Sequence, residues 1–337
     1  MPLARPIQVH AVLMDGHVLL DLVGPLEALR VANRLLASRG QPPAFDLRFV
    51  SPERECRSAM GLALSDLAPL PSPPQLTAAP GPHWVLVPGQ VGERVERDTP
   101  SARELQRWLA QLPLAQGQVE LVCVCAGSVL AAHAGLLAHR RATTHHLHLD
   151  ELKAAEPLCE VLPHRLFVHD GPVWTSAGVT TGIDLMLHRI GEVGGPALAA
   201  EVAQHLVLAL RRGPDDPELS PFLHHRDHRH AALHRVQDAI QRDPRHDWDL
   251  PAMAALACTS PRHLTRLFEA HAGVSPLRYL RQVRLALAEA ALASGHSVTQ
   301  AAELAGFRSD GQLRRAWQQM GPGDTPRARR PGSARQH

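Results

Sequence analysis

The chain lacks any apolar stretch of the roughly 18 uninterrupted residues that a membrane-spanning helix needs, which argues against a membrane protein. Residues Met1–Val9 show no long apolar core followed by small residues, so no secretory leader is expected. Cysteine is sparse. Five in 337 residues, with one pair spaced only as Cys123 and Cys125, do not make a disulfide framework, and a reducing cytoplasm is the expected compartment. There is a single lysine, so the positive charge is carried almost wholly by arginine. What is present is an ordinary globular balance of 45% apolar and 20% charged residues, in a chain long enough for two domains.

The formal net charge of +2 conceals an asymmetry. Residues 1–220 hold 18 basic and 23 acidic side chains, whereas residues 221–337 hold 17 basic and 10 acidic. A basic segment joined to an acidic one points to a polyanionic partner for the former.

β-like runs at residues 7–14, 45–50, 84–87 and 119–124 alternate with helical patterns at residues 24–39, 102–112, 129–137 and 183–190. That alternation predicts an α/β domain with a mostly parallel sheet covered on both faces. The run VELVCV is apolar almost throughout, as a strand buried on both sides requires. Residues 212–221, RGPDDPELSP, carry three prolines and mark the domain boundary. The expected division is an α/β domain over 1–211, a linker over 212–227, an all-α domain over 228–330 and a disordered tail over 331–337.

The all-α domain contains a repeat. Leu250, Met253, Ala254 and Ala257 fall at i, i+3, i+4 and i+7, and so do Val298, Ala301, Ala302 and Ala305. Each short helix is followed by a turn carrying Ser260 or Ser309 as the natural N-cap of a second helix, the second turn being one residue longer. The second helices bury Leu264, Leu267 and Phe268 in one copy and Leu313, Ala316 and Trp317 in the other. This is the layout of two helix-turn-helix units. Arg262, Thr265 and Arg266 share the outer face of the first, and Gly311, Arg314, Arg315 and Gln318 that of the second. Arginine bonds in pairs to the O6 and N7 edge of guanine, which suits these faces to a major groove of double-stranded DNA. Between the copies, residues 276–293 read as one helix. It carries Arg278, Arg281 and Arg284 as candidates for phosphate contacts or surface ion pairs.

Gly273-Val274-Ser275-Pro276, Arg284-Leu285 and Gly306-Phe307-Arg308-Ser309 follow one another in the order seen in AraC/XylS-family transcription regulators, which residues 228–330 resemble. By matched position the resemblance implies base reading by Arg262, Thr265 and Arg266 in the first helix and by Gln312, Arg314 and Arg315 in the second. Trp317 and Arg329 depart from the family pattern, and Asp310 sets an acid near the DNA face. The second unit is therefore expected to hold phosphate more than it reads bases.

In the α/β domain, VELVCVCAGSVLAAHAGLLA reads as strand, sharp turn and helix with Cys125 at the turn, the geometry of a nucleophile elbow. Cys123, inside the strand, reads as core. Together with LLDLVGPLEAL, the VPGQ turn and VWTSAGVTTGIDL, this stretch resembles the PfpI-type, flavodoxin-like fold, and more narrowly the GlxA-like regulators. That resemblance implies a site formed by Asp21, Cys125 and His145. PfpI-type enzymes place His directly after the cysteine, and here that residue is Ala126. A pocket for a small-molecule effector is therefore expected, not catalysis. The rival is a cysteine-dependent amidase or hydrolase with an accessory DNA-binding domain. Histidine clusters at 145–148 and 224–230 can arise from composition alone in a chain with 22 histidines, and no metal or cofactor is expected. A homodimer through the N-terminal domain is expected.

Overall fold

The computed structural model describes residues 5–163, 165–208, 225, 228, 230–293 and 295–320. The chain divides into two compact units, Met1–Glu218 and Leu219–His337. The expected linker over 212–227 lies, apart from His225, outside the described residues, as does the expected tail.

The N-terminal unit begins with β1 (Ile7–Val12), α1 (Leu19–Ser38) and β2 (Phe45–Ser51). Next come the short strands β3 (Cys56–Arg57), β4 (Ala63–Leu64) and β5 (Ala68–Pro69), then α2 (Pro73–Ala78). β6 (His83–Val87), α3 (Pro100–Leu109), β7 (Val119–Val124) and α4 (Gly127–His133) follow. After them come β8 (Arg141–Ala142), α5 (Leu149–Ala155), β9 (Glu160–Val161), β10 (Phe167–Asp170), β11 (Val173–Ser176), α6 (Thr181–Gly194) and α7 (Pro196–His205). Seven strands form one sheet in the order β10-β11-β7-β6-β1-β2-β5. Every pairing in it is parallel except β10 with β11. All six residues of β7 are buried, which is why its sequence shows no polar alternation.

The first helix departs from its sequence reading. Gly24-Pro25 looks like a helix start, yet α1 begins at Leu19 and runs through Pro25. Packing explains this. A Cβ on Gly24 would lie 2.9 Å from Ile183, and one on Gly182 would lie 3.1 Å from the Pro25 ring, so small residues let α1 and α6 approach closely. The helix interaction outweighs the one hydrogen bond that proline forfeits. The longer helix places Asp21 in its first turn, fully buried. Deeper in the core, the Arg189 guanidinium lies 4.3 Å from the Trp84 ring centre and 4.4 Å from that of Trp174, and donates to Glu120.

The C-terminal unit consists, among the described residues, of α8 (Ala231–Arg242), α9 (Leu250–Leu256), α10 (Pro261–Ala272), α11 (Pro276–Ala293), α12 (Val298–Leu304) and α13 (Asp310–Met320). α9–α10 and α12–α13 are the two helix-turn-helix copies. Each has its own small core, the first around Met253, Leu264 and Phe268, the second around Ala302, Leu313 and Trp317. Helix α8, which the repeat did not reveal, seals the first with Leu233, Val236 and Ile240. The G-x-S-P turn has a local cause. Gly273 ends α10 at a φ of 68°, the Ser275 hydroxyl accepts the Arg278 N–H, and Pro276 opens α11 where its missing donor costs nothing.

Cys258, two residues past the end of α9 where the second copy has Gly306, has a φ of 53°, a conformation that strains any side chain with a Cβ. Cys258→Gly should stabilise the α9–α10 turn by about 1 kcal/mol, which slows subglobal amide exchange in α9 and α10 of the full chain about fivefold. Unchanged or faster exchange would show that the turn carries no strain.

Candidate functional site

Cys125 adopts a φ of 57° between the end of β7 and the start of α4. This left-handed turn lifts the residue above the carboxyl end of the sheet, the strand-turn-helix geometry expected of an elbow. Three glycines make room for it. A Cβ on Gly89 would lie 2.8 Å from the Cys125 Cβ and 2.9 Å from the Ala126 nitrogen. One on Gly178 would lie 2.8 Å from the Cys125 sulfur, and one on Gly127 would strike the Val87 carbonyl. The Cys125 carbonyl accepts the hydroxyls of Ser128 and Thr144, each at 2.9 Å. Cys123, fully buried, has its thiol pushed far up by burial, as core sulfur does.

Asp21 sits beside the elbow. Its two carboxylate oxygens accept the N–H of Gly89 at 3.1 Å and of Val179 at 3.0 Å, and its side chain is hydrogen-bonded to that of Cys125. A carboxylate beside a thiol opposes the thiolate, the reverse of what an imidazolium does. His145 follows Thr144 and is half-buried, its ring 4.2 Å from that of His146 and 6.2 Å from that of His148. Burial, with these two imidazoles beside it, holds His145 down to about 4, so it is neutral at physiological pH. His148 has a structural task, since it pairs with Glu151 at 2.8 Å. The structure thus places Asp21 against Cys125 and anchors the His145 segment to the elbow through Thr144. Gly89, Ser128, Thr144 and Gly178 do not stand out in the sequence as members of this site. The available signal was their Gly, Ser and Thr content at turns. A recess of about 380 Å³ lined by Leu76, Thr77, Pro82, Gln118 and neighbours lies at the amino ends of β6 and β7, the opposite end of the sheet from Cys125.

The DNA-reading candidates lie on two exposed faces. In α10, Arg262 and Arg266 are exposed while Leu264 and Phe268 are fully buried, and the Ser260 hydroxyl caps the helix at the His263 N–H. Thr265 is half-buried and donates back to the Pro261 carbonyl, and Arg266 bonds to His263 at 2.9 Å. In α13, Arg314 and Arg315 are exposed over buried Leu313, Ala316 and Trp317, with Ser309 as the cap. Gln312 is partly committed, because its carbonyl accepts the Arg308 N–H at 2.8 Å and only its NH₂ is left to donate elsewhere. Asp310 accepts the Thr299 hydroxyl and opens α13. On α11, Arg278 and Arg281 are exposed, whereas Arg284 is half-buried and bonds to the carbonyls of Pro244 and His246. Among the described residues no three His, Cys, Asp or Glu side chains form a metal-binding group.

Burial raises the Asp21 carboxyl from 3.8 to about 6, against the pull of the Gly89 and Val179 N–H groups and the Cys125 thiol. The folded unit therefore holds this proton more tightly than the unfolded chain. Its stabilising contribution, about 3 kcal/mol for two pKa units, is complete below about pH 4 and is lost as the pH climbs through about 6. A ¹³C-labelled aspartate carboxyl resonance titrating near pH 6, and absent from Asp21→Ala, is the expected result. If every aspartate titrates near 4, the burial account is wrong.

Two family models match the chain, the DJ-1/PfpI family over residues 78–192 and a helix-turn-helix domain over residues 253–330. The chain is 30% identical over 311 residues to the HTH-type transcriptional regulator GlxA of Rhizobium meliloti, covering 91% of each. It is 29% identical over 307 residues to the HTH-type transcriptional regulator GbdR of Pseudomonas aeruginosa, covering 90% of this chain and 79% of the relative. A shorter similarity, 37% over 95 residues, joins 28% of this chain to 38% of an isonitrile hydratase from Pseudomonas putida. With an elbow-bearing α/β unit followed by two helix-turn-helix copies, and with near-complete coverage of GlxA, the chain belongs to the family of HTH-type transcriptional regulators that join a DJ-1/PfpI domain to an AraC-type DNA-binding domain.

Proposed function

We propose that this protein is a sequence-specific, double-stranded-DNA-binding transcription regulator whose N-terminal domain, residues 1–211, senses a small molecule at the Cys125 elbow. The DNA-binding domain covers residues 228–330, and the protein works in the cytoplasm as a homodimer joined through its N-terminal domains. The observation that carries this reading is the two-faced build of α10 and α13. Each buries an apolar stripe in its own core and leaves arginines on the opposite, solvent-facing side. Arg262, Thr265 and Arg266 read bases from α10, and Gln312, Arg314 and Arg315 grip from α13, more through phosphate than through base edges. The ligand meets Cys125, Asp21 and His145, because concave sites above strand carboxyl ends are where such sheets bind small molecules.

The alternative is a cysteine-dependent hydrolase, which the elbow and the isonitrile hydratase similarity favour. Nucleophilic catalysis needs a base that activates the thiol. Here Ala126 occupies the place of the histidine, and His145, held down to about 4 by burial, is a weak base, which leaves the Asp21 carboxylate as the base candidate beside the thiol. A non-catalytic sensor accounts for the first two.

Selection of duplexes from a random pool by the purified full-length protein tests the main reading, and a defined motif is the expected product. On that motif Arg266→Ala should lose about 1–3 kcal/mol, while Arg281→Ala should weaken every sequence alike and lower the salt dependence by about one unit. Equal losses by Arg266→Ala on the motif and on random DNA would remove it from base reading. Cys125→Ser should leave ligand-free DNA affinity unchanged and alter the response to candidate metabolites, since a ligand shifts an equilibrium only through contacts in its own pocket. Repeated turnover of amides, esters or isonitriles by the wild type, abolished in Cys125→Ser, would establish the enzyme instead.

A further inference from the structure

The two helix-turn-helix copies have separate cores, and Leu287 of α11 packs against both. A single connecting helix would leave the second copy free to bend and twist relative to the first. The loop 243–249, which joins α8 to α9, meets the second copy in two places and the connecting helix in a third. From α11, Arg284 donates Nε to the Pro244 carbonyl at 2.8 Å and a terminal nitrogen to the His246 carbonyl at 2.9 Å. The turn of the second copy presses against the same loop at Gly306, where a Cβ would stand 2.7 Å from both the Pro244 carbonyl oxygen and the Arg245 Cα. Two residues further on, Arg308 donates to both carboxylate oxygens of Asp247, at 2.6 and 2.5 Å. The loop itself is stiffened by Trp248, whose indole N–H bonds to the Asp243 carbonyl at 2.8 Å and whose ring packs against the first core.

We propose that this loop is a clamp that sets the orientation of α13 relative to α10, and that Arg284 and Asp247 are positioning residues for DNA recognition. The proposal rests on the DNA-binding reading above. Two linked modules bind in concert only insofar as the first holds the second at the right place and angle, which raises its effective concentration at its own contact. Arg284 is spent on two backbone carbonyls, so its contribution reaches DNA through the geometry of the loop. Gly306 serves the same fit: its φ of 80° makes the turn, and its missing Cβ admits the loop.

Ordinary loop packing that merely stabilises the fold predicts something different, and a double-mutant cycle separates the two. The variants are R284M, which keeps an apolar stem, and D247A, which alters an exposed ion pair without threatening the fold. Each is measured in the wild-type background and in R314A/R315A, by fluorescence anisotropy on a duplex selected by the wild-type full-length protein. With the grip of α13 intact, R284M should weaken binding about tenfold through lost effective concentration. D247A should weaken it about threefold, the scale of one exposed ion pair. With that grip removed, neither should cost more than about twofold, because the orientation of an idle helix has no consequence. The sign for D247A is itself diagnostic, since deleting an acid near DNA tightens binding if only charge matters. Equal losses in both backgrounds, no loss in the wild type, or tighter binding by D247A would each overturn the clamp while leaving the DNA-binding reading in place. If R314A/R315A alone leaves affinity unchanged, α13 grips nothing, and its assigned role falls together with the clamp.

Discussion

The N-terminal unit is organised around a shortage of space at one backbone turn. Cys125 can hold its left-handed conformation above β7 only because glycines at 89, 127 and 178 let two other stretches of chain close on the turn without a Cβ in the way. The sheet order supplies these neighbours: β6, which leads into Gly89, and β11, which leads into Gly178, flank β7 directly. The first turn of α1 completes the ring with Asp21, whose two oxygens bind N–H groups of the Gly89 and Val179 segments. One carboxylate thus holds two loops against a third, at the cost of being buried.

The C-terminal unit solves a different problem. Two cores of little more than ten buried side chains each must carry helices whose outer faces are given over to arginine. Caps at Ser260 and Ser309, a proline at the start of α10 and of α11, and glycine at the end of α10 supply local stability that such small cores lack. Several polar groups on the DNA-reading candidates are already engaged within the protein, among them the Thr265 hydroxyl, the Gln312 carbonyl and one Arg266 nitrogen. These bonds restrict side-chain freedom before any partner arrives, which lowers the entropy lost on binding.

Arginine serves both units, and in neither would lysine substitute. Arg189 needs a flat cation to lie between two tryptophan rings while donating to Glu120 and Glu192, and Arg284 uses the fork of its guanidinium to bridge two carbonyls. The near absence of lysine from the sequence is in keeping with such planar, multiply bonded tasks.

Short-range patterns in the sequence were enough for the repeated helix pair, both serine caps, the longer second turn, the limits of α11 and the elbow at Cys125. Helix periodicity, capping and a strand-to-helix turn involve residues within about four positions of each other, so the sequence displays them directly. The start of α1 and the purpose of Arg284 were not legible, nor was the seating of Asp21. Asp21 meets Gly89 across 68 residues and Val179 across 158, and Arg284 meets Pro244 across 40. Local pattern also misleads at Gly24-Pro25, where close packing of α1 on α6 overrides two residues that usually break a helix. Local pattern alone shows the repeated helix pairs, their apolar faces and their exposed arginines, but not α2, α5, α7 or α8. Only the tertiary structure decided which loops share a carboxylate and which arginine holds the protein together, because those outcomes depend on contacts between segments far apart in the chain.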